Sequence, residues 1–174
     1  MADAVQYDIM VNLQTDLRSL TFSAQGSESV RTIADADIVW EKAQWKGGKL
    51  QFRNNNCPGI VITPANRIRM PFLQGNNKQD EVEYPFLCQI IDTDQQHQSQ
   101  GLRTYMKWQE QIAKMFRNQD AIAVSSISSN EGGVTWNCGC EYVDVIDENM
   151  FFRHQRFVAG VLLVFMAMEP RGSS

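Results

Sequence analysis

The stretch "VTWNCGCEYV", Val134 to Val143, places Cys138 and Cys140 one residue apart. Thiols at that spacing raise two kinds of chemistry, metal ligation and redox pairing. A structural zinc site takes four ligands, commonly as paired Cys or Cys/His knuckles. The other two cysteines, Cys57 and Cys88, stand alone in sequence. If the stretch is a strand, Cys138 and Cys140 face the same way, and that face also carries Val134, Trp136 and Tyr142. Buried free cysteines behave as small hydrophobes. The stretch therefore reads as core packing, with no metal or cofactor expected on it.

Two other clusters could do chemistry. "DTDQQH" holds Asp92, Asp94 and His97 at the end of an apolar run. Paired carboxylates there, with Glu83 as a third, could hold a divalent ion for phosphoryl transfer. Asp is equally a turn and helix-start residue, and the segment is expected to be a polar turn leading to a Ser99 cap. "FRHQR" holds Arg153, His154 and Arg156. These could meet phosphate or a partner's carboxylates, or form a solvated turn. The sequence has no P-loop, no G-x-G-x-x-G and no Ser/His/Asp order. No catalytic, cofactor-binding or metal-ligating residue is expected, and no enzyme.

The elements that must position these groups follow from periodicity. Val5, Ile9, Leu13, Leu17 and Leu20 make one apolar helical stripe over Asp3 to Leu20, with Asp3 as its cap. Val30 to Trp45 fits no period. "KLQF" after Gly47 and Gly48 suits a short strand, and "IVITPA" suits a strand ended by Pro64. Asn66 to Glu83 reads as a long polar loop. Tyr84 to Asp92 is a nearly continuous apolar run, as for a strand covered on both faces. A second helix, Gly101 to Asn118, carries its core on Leu102, Tyr105, Met106, Ile112, Ala113 and Phe116. Trp108 and Met115 flank that stripe and either widen the core or meet a partner. Val134 to Val145 alternates as a strand. Arg156 to Met168 returns beside it as a hairpin partner.

The order is helix, two strands, helix, two strands. It predicts one α+β domain over residues 1–172 with a short polar tail at 173–174. Its sheet would be antiparallel or mixed, of four or more strands, with both main helices on one face. The 174 residues suffice for one core, and 43% of them are hydrophobic. A net charge of −4 argues against a general nucleic-acid binder. No apolar run is long enough to span a bilayer, so no membrane role is expected. The first residues carry no basic or apolar signal-peptide region. Phe151 and Phe152 adjoin in a turn and cannot both point inward easily. With Trp108, Met115, Arg153 and Arg156 they are the candidate interface residues.

One run of elements carries a family resemblance. An N-terminal amphipathic helix is followed by "PGIVITPA", a polar loop and "YPFLCQIIDTD". "GLRTYMKWQEQIAKMFRNQ" comes soon after, and the chain closes with "VAGVLLVFMAMEPRG". This resembles the tail terminator, or tail-completion, proteins of long-tailed bacteriophages. The likeness is strongest over Tyr84–Asn118 and Phe157–Gly172; Val30–Phe52 has no counterpart. It implies a structural virion protein, made in the host bacterial cytoplasm. Such proteins form a ring, commonly of six copies, at the head-proximal end of the tail tube. The ring stops tube growth and joins the tail to the head. Its partners would be its own neighbours, the tube protein and a head-completion or connector protein. Double-stranded DNA would pass through without specific binding, as suits an acidic wall. The alternatives are a metal-dependent nuclease or hydrolase using Asp92 and Asp94, and a small cytoplasmic binding module.

Overall fold

The structure, a computed structural model, describes residues 5–22, 32–40, 43–46, 49–52, 58–65, 68–71, 79–92, 98–117, 137–143 and 157–170. Helix α1 spans Val5–Ser19. Its stripe forms as the four-residue spacing requires, with Ile9, Leu13 and Leu17 fully buried and Val5 and Leu20 packed at the margins. The proposed Asp3 cap lies outside the described residues. Two polar side chains of α1 tie it to the sheet. Gln14 Nε2 and Arg18 donate to the Ile38 carbonyl at 2.7 and 3.0 Å.

The stretch without a period turns out to be several short pieces, none long enough to set one. A 3-10 turn at Asp35–Asp37 leads into β1, Ile38–Val39. A hairpin follows from β2, Ala43–Lys46, and β3, Lys49–Phe52. Strand β4 spans Gly59–Pro64 and runs parallel to β1. Strand β5, Ile68–Pro71, pairs with the start of β6, Gln79–Asp92. This corrects the long-loop expectation for 66–83. The strand signal extends upstream of Tyr84 because Val82 continues the buried alternation of Tyr84, Phe86, Cys88 and Ile90. Residues 72–78 lie outside the described ones.

Helix α2 spans Gln98–Phe116 and so begins before Ser99, which lies inside its first turn rather than capping it. Strands β7, Asn137–Val143, and β8, Phe157–Pro170, complete the element list. The six-stranded mixed sheet runs β1-β4-β6-β8-β7, with β5 beside β6. All of its pairings but β1–β4 are antiparallel. The fold is the α+β arrangement expected, with added short strands.

Pro85 sits in the middle of β6, where a proline would normally remove a ladder bond. The Ala65 amide donates to the Pro85 carbonyl at 2.9 Å. A strand residue's N–H and C=O point to the same side. The missing donor of Pro85 therefore faces the gap where β4 ends at Pro64 and β5 has yet to begin at Ile68. The sequence changes partner strands where it can do without that bond.

One core cluster holds the buried face of the sheet against both helices. It joins Ile9, Leu13 and Leu17 of α1, and Tyr105, Trp108, Ile112 and Phe116 of α2, to alternate residues of β6 from Val82 to Ile90 and of β8 from Ala159 to Ala167. Leu87, Gln89 and Ile91 of β6, and Leu162, Val164 and Met166 of β8, point the other way and are only half-buried. The expectation that β6 is covered on both faces is thus corrected. Its apolar run does alternate in burial, and the helices cover one side.

A buried polar side chain fastens α2 to this sheet. Gln109 Nε2 donates to the carbonyls of Val143 and Gly160 at 2.9 and 2.7 Å. Those two residues are register partners on β7 and β8. Gln109→Leu keeps the volume but leaves both carbonyls without that donor. It should lower unfolding free energy by about 1–3 kcal/mol, measured by urea titration followed by circular dichroism. An unchanged midpoint would show that the two bonds contribute nothing net.

Candidate functional site

Cys138 and Cys140 stand on the helix-facing side of β7, as the i, i+2 spacing requires. Cys138 is 3% exposed and packs in the core. Cys140 is half-buried, and its thiol points at the Ala113 carbonyl of α2, 3.8 Å away. The same face opens out further along the strand, where Tyr142 is 49% exposed. That part of the expected apolar face is therefore surface. Tyr142 lies toward the end of β7.

Cys88 shares the face but not the place. It lies opposite Val161 on one side of β8, while Cys138 and Cys140 lie opposite Phe165 and Leu163 on the other. Two strand spacings separate Cys88 from β7, about 10 Å. The three thiols do not converge. Among the described residues, no group of three His, Cys, Asp or Glu is placed to hold a metal ion. Cys57 lies outside the described residues.

The thiols differ in acidity for physical reasons. Burial pushes the Cys88 thiol up to about 12. Cys138 is raised by donating a hydrogen bond to Cys140 and by burial. Cys140 is lowered, chiefly by accepting that bond, with a smaller contribution from the Arg117 cation just after α2. Only the thiolate is nucleophilic. In a Cys57→Ser background, iodoacetamide at mildly alkaline pH should label Cys140 at least roughly tenfold faster than Cys88 or Cys138. Peptide mass spectrometry reads the rates. Equal labelling of Cys88 in the folded chain would contradict its burial.

Asp92 is not only the turn residue expected. It is the last residue of β6, 1% exposed, and it accepts a 3.0 Å hydrogen bond from the Tyr105 hydroxyl of α2. Its position opposite Phe157 still belongs to the ladder. The β6–β8 pairing runs further than the apolar residues do, and so carries the carboxylate inside. Asp94 and His97 lie outside the described residues.

The interface candidates divide. Trp108 is fully buried, with Phe22 and Tyr105 rings at 6.5 and 6.0 Å. It is core, which corrects its candidacy for an interface. Met115 is half-buried against the same core. Met106, expected inside, is 53% exposed. Phe151, Phe152, Arg153 and Arg156 lie outside the described residues. The structure adds Gln109, which sequence reading passed over. Its signal was a polar residue within the apolar stripe, between Tyr105 and Ile112.

A second exposed feature lies beside α1. Tyr7 and Trp40 are 43% and 36% exposed, and their rings meet at 5.3 Å. Paired aromatics at a surface suit contact with another protein. No described helix is long and apolar enough to cross a membrane. No protein-family model matches the chain, and no curated protein does.

Proposed function

We propose that the chain is a structural ring protein of a long-tailed bacteriophage, placed at the head-proximal end of the tail tube, where it stops tube growth and joins tail to head. The observation that carries this reading is the element order of the resemblance. An amphipathic helix precedes a Y-P-apolar strand that ends in an acidic residue. A helix follows, and a long Val/Leu strand closes the domain. A sheet with both described helices on one side is compatible with it. The acidic net charge suits a channel wall that lets DNA pass without holding it.

The hydrolase reading is weakened by Asp92. A buried carboxylate engaged by Tyr105 is poorly placed to meet solvent and substrate. The ring reading is tested by a phage that lacks this protein. Its tails should be of irregular length or remain unjoined to heads, and tails of normal length joined to heads would refute it.

A further inference from the structure

Cys138 fits the core-packing reading, but Cys140 does not fit it wholly. Its thiol is half-buried, within reach of a small solute, while Cys138 is buried. The two share the helix-facing side of β7, and Cys138 donates a hydrogen bond to Cys140. The thiols are therefore neighbours in space as well as in sequence. Thiols that meet in this way can be joined by oxidation.

Strand geometry stands in the way of direct closure. Residues two apart in a strand have Cα atoms about 6.6–6.8 Å apart, and same-facing Cβ atoms are spaced similarly. A disulfide needs its Cβ atoms about 3.5–4.5 Å apart. Closing the pair therefore requires β7 to bend and bring the two together by about 2–3 Å. Two features allow that bend. The residue between the thiols is Gly139, and a Cβ added there would meet only Val164, at 3.9 Å. Packing thus does not demand a glycine, which ordinarily weakens a strand interior. What Gly139 supplies is backbone freedom. In addition, β7 ends the strand order and, among the described strands, pairs only with β8. A bend in it disturbs one ladder.

We propose that Cys138, Gly139 and Cys140 form a site of reversible oxidation by peroxides, in which Cys140 is attacking thiol and Cys138 resolving thiol. The Cys140 thiolate attacks one peroxide oxygen and the O–O bond breaks. The hydroxide that leaves takes a proton from solvent and becomes water, and Cys140 is left as a sulfenic acid. The Cys138 sulfur then attacks the Cys140 sulfur and the S–O bond breaks. That oxygen departs with the Cys138 proton as a second water. In sum, two thiols and one hydrogen peroxide give one disulfide and two waters. The roles follow from the surroundings. Cys140 accepts a hydrogen bond and has the Arg117 cation nearby, both of which favour its thiolate. Cys138 holds its proton in that bond until Cys140 is oxidised. Cys88 is fully buried and about two strand spacings, or about 10 Å, from β7, so it takes no part. The chemistry does not rest on the ring reading.

The test takes the full chain in the Cys57→Ser background, reduces it and exposes it to a small molar excess of hydrogen peroxide. Peptide mass spectrometry should find the peptide with Cys138 and Cys140 lighter by two hydrogens, and dithiothreitol should return it to its starting mass. Dimedone, which traps sulfenic acids, should mark Cys140 in Cys138→Ala and should mark nothing in Cys140→Ala. Gly139→Ala fits the space available, so its thermal melt should not fall, yet it should close the disulfide at least about threefold more slowly. A pair that stays reduced, with Cys140 marked by dimedone to the same extent whether or not Cys138 is present, would overturn the inference. So would oxidation that begins at Cys88, or a Gly139→Ala chain that closes the disulfide at the parent's rate.

Discussion

Trp108→Ala should be the most damaging single substitution in α2, costing about 3–5 kcal/mol of unfolding free energy. The indole is fully buried and is among the largest side chains in the core. It packs edge-on to Phe22, just after α1, and lies tilted against Tyr105 in its own helix. Truncation removes apolar contact at the junction of the two helices and opens a cavity that the surrounding rings cannot fill without moving. A loss of this size is a large part of the stability of an ordinary domain. The variant should therefore be partly unfolded at 37 °C or recovered insoluble. Met106→Ala, two residues earlier, is the control. Its side chain is mostly in water, so its cost should stay within about 0.5 kcal/mol. Urea midpoints of the two variants decide the matter. If Met106→Ala proved the more destabilising, the orientation of α2 would be wrong.

That contrast also shows where the sequence was legible and where it was not. The α1 stripe was clear because Ile9, Leu13 and Leu17 repeat at one spacing and their neighbours are polar. On α2 the apolar residues spread around more of the helix, and hydrophobicity alone could not choose between Met106 and Trp108. Each residue advances about 100°. Taking Tyr105, Ile112 and Phe116 as the centre, Trp108 falls about 60° to one side and Met106 about 100° to the other. The helix was easy to find, and its rotation needed angle as well as type. Gln109 was missed for the related reason that a polar residue is by default assigned outward. Only the placement of the Val143 and Gly160 carbonyls makes burial favourable for it.

The sheet was legible in its long members. β7 falls within its expected segment, β4 and β8 overlap theirs to within two residues, and β6 begins five residues before the expected Tyr84. Of the short strands, β3 is the expected KLQF, but β1 and β5 were not legible, because their two and four residues exist through pairing with distant chain and carry little pattern of their own. Asp92 shows the same limit. Its type and neighbours read as a turn, yet a hydroxyl thirteen residues away makes it an interior group. Local sequence cannot report a partner supplied by tertiary structure. The cysteines were read correctly as same-facing, because strand alternation is a local property.

Removal of the protein from its phage should have the largest biological effect. A tube of identical subunits offers the same binding surface after each addition, so growth does not stop of its own accord. Something must cover the growing end with a surface that no further tube subunit fits. In the ring reading this chain does so, and its outer side receives the head connector. A deletion strain should therefore yield tube-like particles of broad length distribution and filled heads without tails, with infectious titre reduced by several orders of magnitude. Electron micrographs give the lengths, and plaque counts give the titre. Supplying the wild-type chain in trans should restore both. Supplying Trp108→Ala should restore neither, because that chain does not fold. If the deletion strain itself makes tails of normal length joined to heads, the chain has no part in tail completion.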